Sequence, residues 1–132
     1  MKIIRHSVFE TNSSSSHSIS IADKCEVYQT IYPNGDGEII LEGGDFGWEN
    51  DFYSDSWTKA NYCAQDGIDD EMLERVIKNH TGAKKVIINL GDYCSIDHQS
   101  IGTSEAAFES DETLKRFLFS PNSYLETGND NN

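Results

Sequence analysis

Polar and apolar positions alternate along His17-Ser18-Ile19-Ser20-Ile21, the signature of a half-buried strand. Lys2–Phe9 is rich in β-branched and aromatic residues, ends in Val8-Phe9, and reads as a strand before it. Cys25–Tyr32 is a further β-rich run. Pro33-Asn34-Gly35-Asp36-Gly37 follows, where proline presets φ and Asn-Gly accepts positive φ. Glu38–Leu41 is then expected to close a hairpin with the preceding run. From Tyr53 the spacing becomes helical: Tyr53, Trp57, Ala60 and Ala64 share one face. Asp69 is a good N-cap for a second helix, with Asp70 and Glu71 in its first turn, Leu73, Val76, Ile77 and His80 as its buried stripe, and Gly82 as its stop. Lys85–Leu90 is the clearest strand. Ser110 or Asp111 caps a third helix with Leu114, Phe117 and Leu118 inward; Ser120-Pro121-Asn122 ends it, and Tyr124-Leu125 reads as an edge strand. The pattern predicts an α+β fold, a mostly antiparallel sheet of about five strands with two or three helices packed on one face.

The chain has 132 residues, which predicts a single domain, 1–132, with a polar tail over 128–132. A chain of this size buries roughly two-thirds of its unfolded surface and needs no disulfide or metal to build a core. Met1–His6 lacks an apolar h-region, so no secretory signal is expected, and apolar runs such as Val86-Ile87-Ile88 fall far short of a membrane span. Cys25, Cys63 and Cys94 are odd in number and widely spaced, which predicts reduced thiols and a cytoplasmic location.

Charge changes the picture. Ten basic residues against 23 acidic ones give a formal charge of −13, which repels phosphates and anionic lipid, so neither nucleic acid nor membrane is expected as a direct partner. Asp36, Glu38, Glu42, Asp45, Glu49, Asp51 and Asp55 fall within Gly35–Asp55, which has no base. Arg75, Lys78, Lys84 and Lys85 form the only basic stretch.

Four polar stretches are candidates for chemistry: Glu10–Ser18 (ETNSSSSHS), Gly43–Trp48 (GGDFGW), Ile96–Ser100 (IDHQS) and Thr127–Asn131 (TGNDN). Arg5, Val8-Phe9-Glu10-Thr11-Asn12, Ser13–Ser16 and His17-Ser18 make up a VFETNSSSSHS-type signature, and Lys59-x-Asn61-Tyr62 follows the glycine-rich loop. With these features the chain resembles small proteins encoded by bacteriophages and prophages. The resemblance implies a phage or prophage origin and no particular activity.

The serine run offers hydroxyls and backbone N–H groups to a phosphate or carboxylate, with Asn12, Ser13, Ser14, Ser15, Ser16, Gln99, Ser100 and Asn129 as candidate ligand-binding residues. It lacks the glycines and Lys-Ser/Thr of a P-loop. The bland alternative is a solvated turn between strands. His17 beside the serines is the minimum for an activated hydroxyl, but no G-x-S-x-G elbow is present. Asp97 could raise the basicity of His98 in a loop, though on a strand the two would point apart. His17, Asp97 and His98 are thus the catalytic candidates, each weighed against an ordinary hydrogen-bonded turn residue. Cys94-x3-His98 with Cys25 and Cys63 has spacing too irregular for a zinc motif, so no metal or cofactor is expected.

Two functions follow. One is an accessory protein that binds a host protein, such as a nucleic-acid-binding defence protein, as an inhibitor or counter-defence factor. The seven acids would mimic nucleic acid, Asp36 and Glu38 standing about 6.6–6.8 Å apart along a strand, with Phe46 and Trp48 as exposed anchors. The other is a nucleotide- or sugar-phosphate-binding or hydrolytic protein with a polar Ser/His/Asp/Asn site, provided the polar stretches converge.

Overall fold

A computed structural model describes residues 15–46, 50–92, 95–96 and 102–129. The expected strand at Lys2–Phe9 lies outside them. In chain order come β1 (Ser15–Ser20), β2 (Glu38–Leu41), β3 (Asp45–Phe46), β4 (Asp51–Tyr53), α1 (Ser56–Asp66), α2 (Asp70–Thr81), β5 (Lys85–Ile88), β6 (Ser95–Ile96), a 3₁₀ turn (Glu105–Glu109), α3 (Asp111–Phe119) and β7 (Tyr124–Asn129). The class is α+β. The described strands form an antiparallel sheet of three, in the order β1-β7-β4, and two parallel pairs, β2-β5 and β3-β6.

α2 and α3 form where local signals place them. The Asp69 carboxylate accepts from Met72 N at 3.1 Å, and Gly82 ends α2 in the left-handed region at φ 75°. Leu73, Val76 and Ile77 are buried and His80 half-buried. Ser110 caps α3 through Thr113 N at 3.1 Å, and Leu114, Phe117 and Leu118 are buried. These residues pack with Ile39, Leu41, Tyr62, Val86, Phe119 and Leu125 in one core. No described helix is long and apolar enough to cross a membrane.

Several expectations are corrected, most of them by pairings between distant segments. The turn at Asn34–Gly37 forms: the Asn34 carboxamide accepts from Asp36 N at 2.9 Å and Glu38 N at 3.0 Å, and Gly37 sits at φ 81° against the Lys84 side chain. It does not close a hairpin. Glu38–Leu41 instead pairs in parallel with Lys85–Ile88, whose apolar residues offer a better-buried partner than the 25–32 run. That run joins no sheet; it is held by Gln29 N on Phe119 O at 2.8 Å and leaves Val27 and Tyr32 exposed. Tyr53 ends β4 rather than joining the helix, because Asp55 caps α1 through Thr58 N at 2.8 Å. Tyr124-Leu125 opens the central strand of its sheet, not an edge: Leu125 and Thr127 point inward and Glu126 outward, so a polar-looking stretch carries strand alternation.

Candidate functional site

α1 is a buried helix whose inward residues are largely polar: Lys59, Asn61, Tyr62 and Asp66 are all buried, while Trp57, expected inside, is exposed. Lys59, Asn61 and Asp66 each reach a different loop, and Tyr62 reaches β1. Lys59 Nζ donates to Ser120 O at 2.9 Å and Ser123 O at 2.8 Å, bracing the turn between α3 and β7. Asn61 Oδ1 accepts from Glu42 N and Gly43 N, each at 2.9 Å, and its amide donates to Trp57 O. Gln65, half-buried, takes Gly44 N at 2.9 Å. The Asp66 carboxylate accepts from Gly102 N at 2.8 Å, Ser104 N at 3.0 Å and Ser104 Oγ at 2.6 Å. Backbone donors in loops that have no strand partner are satisfied by one helix, which is the condition for burying such loops.

Tyr62 is where the polar stretches meet. Its hydroxyl lies 2.7 Å from His17 Nδ1 and is hydrogen-bonded by the Thr103 side chain. Its ring meets Phe46 edge-on at 4.9 Å between centroids. His17 faces Thr127 across β1 and β7, with Ser16 opposite Gly128 and Ser15 opposite Asn129. Phe46 stands beside Ile96 in the β3-β6 pair. His17 of the serine stretch, Phe46 of the glycine-rich loop and Thr103 thus meet at one phenol, and the C-terminal stretch pairs with the strand that carries His17. Burial holds the Tyr62 phenol in its protonated form well above the usual range, and Thr103 opposes that shift, as a donor to the phenol oxygen does. Which of the two donates in the Tyr62–His17 bond follows the histidine tautomer. The pair is a histidine–tyrosine contact, not the serine–histidine pair of an activated hydroxyl. Next to it, burial and the Asp66 carboxylate push the Cys63 thiol up, away from its reactive form.

The other nominated residues divide. Asn12, Ser13, Ser14, Trp48, Glu49, Asp97, His98, Gln99 and Ser100, with Cys94, lie outside the described residues. Phe46 is buried between Tyr53 and Tyr62, which takes it from the partner-facing set into the core. Asp36 lies in the turn, not on a strand beside Glu38, so the proposed strand spacing of the two carboxylates is not realised; Glu38 stands in register with Lys85, an opposite charge. Glu42, Asp45, Asp51 and Asp55 are exposed on the segments around α1. Sequence reasoning missed Lys59, Gln65, Asp66 and Thr103 as positioning residues, and Phe52 and Trp57 as exposed rings. Lys59-x-Asn61-Tyr62 was the one available signal for the first group. Among the described residues, no group of three His, Cys, Asp or Glu could hold a metal ion.

No protein-family model, curated protein or solved structure matches this chain.

Proposed function

We propose that the protein is a phage-type accessory protein that binds a basic, nucleic-acid-binding host protein through the acidic face around the N-terminus of α1. The observation that carries this reading is the sequence Asp51-Phe52-Tyr53-Ser54-Asp55-Ser56-Trp57, in which Phe52 is 60% and Trp57 48% exposed, each following an exposed carboxylate, Asp51 and Asp55. The Phe52 ring lies against Tyr124, 4.5 Å between centroids, so it is held in place before any partner arrives. Aromatic anchors supply affinity, and surrounding carboxylates steer a basic partner and reject an acidic one. The role first given to Phe46 and Trp48 thus passes to Phe52 and Trp57.

Affinity purification from expressing bacterial cells tests this. The wild type is expected to retain a basic nucleic-acid-binding protein that high salt releases. Phe52→Ala/Trp57→Ala is expected to weaken retention by at least about tenfold, with little change in melting temperature. Asp51→Asn/Asp55→Asn keeps the helix cap and should weaken retention mainly at low salt. An identical set of co-purifying proteins for all three would overturn the reading. The convergence on His17 and Tyr62 supports the second reading, a nucleotide or sugar-phosphate site. A nucleotide that raises the melting temperature of the wild type and not of Tyr62→Phe would favour it instead.

A further inference from the structure

A separate cleft of about 240 Å³ lies between α2 and α3, lined by Val76, Asn79, His80, Asp111, Glu112 and Lys115. None of these residues takes part in the α1 loop contacts. The volume is below the roughly 300–1,000 Å³ of pockets that hold drug-sized ligands, so the occupant is a smaller molecule. Asp111 is already committed, both of its carboxylate oxygens being taken by Arg75 at 2.8 and 3.0 Å. That leaves one anion, Glu112, and one cation, Lys115, three residues apart on one wall. The other wall offers neutral groups. His80 Nε2 lies 2.9 Å from the Gln29 carbonyl, which can only accept, so Nε2 carries the proton and Nδ1 is the acceptor of the neutral ring. Asn79 is exposed and brings an amide with both donors and an acceptor.

The wall is rigid. His80 stacks on Phe119 at 4.0 Å, and Tyr28 packs edge-on to His80 at 5.6 Å. The Tyr28 ring also lies 4.7 Å under the Lys115 ammonium, and burial together with the nearby Glu112 carboxylate pushes its phenol up. One tyrosine therefore neighbours both charges.

We propose that this cleft binds a free α-amino acid. Lys115 and the Asn79 amide take the carboxylate, Glu112 and His80 Nδ1 take the ammonium, and Val76 faces the side chain. Both signs of charge line so small a cleft together with two neutral hydrogen-bonding side chains, which suits a zwitterion better than a simple anion or amine.

The test is a titration of the ¹⁵N-labelled protein with alanine, valine, leucine and glutamine, followed by amide shifts. At least one is expected to bind saturably at or below millimolar concentration, moving the signals of Asn79, His80, Glu112 and Lys115. Its N-acetyl derivative and its decarboxylated amine should each bind about tenfold more weakly or worse. Glu112→Gln and Lys115→Met, both changes on the outer side of α3, should each cause a similar loss. The proposal is overturned if none of the four amino acids gives saturable shifts by about 10 mM. It is equally overturned if the N-acetyl derivative binds as well as the parent, or if binding survives both substitutions.

Discussion

Replacing Lys59 by methionine is expected to lower the unfolding free energy by about 2–5 kcal/mol, because two buried carbonyls lose their donor. Methionine has the length to fill the space, so the loss isolates the hydrogen bonds from the packing. Lys59 is fully buried, and Ser120 and Ser123, whose carbonyls it holds, are buried with it. Urea unfolding measures the change; a loss below about 0.5 kcal/mol would mean that the turn holds itself. The same residue carries a pH signature. Burial lowers the Lys59 ammonium to about 8, with Asp55 partly offsetting the shift. Between pH 8 and the ordinary lysine value of 10.5, the unfolded chain binds more protons at this site than the folded one. Stability from Lys59 therefore rises with pH across that window and falls as pH drops through 8. A neutral amine keeps two N–H donors, enough for both carbonyls. Cys63 and Tyr62, both raised, act in the opposite direction at higher pH, and because the Lys59 charge lowers the Cys63 thiol, that opposition is larger in the variant. The difference in stability between wild type and Lys59→Met should thus widen from pH 8 toward pH 10.

Tyr62→Ala should cost about 3–5 kcal/mol, the range for deleting a large buried ring. Tyr62→Phe should cost about 1–3 kcal/mol, since only the hydroxyl shared by His17 and Thr103 is removed. The two variants separate the packing of the ring against Phe46 from its polar role. If Tyr62 joins the polar stretches, Tyr62→Phe will shift the NMR signals of His17 and Thr103 and leave those of α2 unmoved. Equal stability of Tyr62→Phe and wild type, with no shift at either residue, would contradict that role.

What the sequence made legible is what its near neighbours decide. Asp69 and Ser110 cap their helices through the residue three positions on, and Leu73, Val76 and Ile77 repeat with the helical period. The Asn34–Gly37 turn is equally local. Partner choice is not: nothing in Glu38–Leu41 says that its neighbour lies at 85–88 rather than at 25–32. Thr127 opens a polar stretch whose sequence does not show its burial, because that burial comes from strands on both sides. The site was half legible. Ser, His, Gly and Asn stretches marked where loops carry unusual demands, and His17 and Phe46 from them meet at Tyr62. The residues that answer those demands, Asn61, Gln65 and Asp66, read as an ordinary polar helix, because a buried polar side chain is spelled like an exposed one until its partner is known.

The central claim is that polar side chains of α1 hold the loops packed around it, and amide hydrogen exchange tests it most directly. Glu42 N, Gly43 N, Gly44 N, Gly102 N and Ser104 N all bond side chains of α1. The account predicts that these loop amides exchange as slowly as the helix itself, and that Asn61→Ala accelerates Glu42 and Gly43 by at least about tenfold while sparing Gly102 and Ser104. Fast exchange of all five in the wild type, or no response of Glu42 and Gly43 to Asn61→Ala, would contradict it.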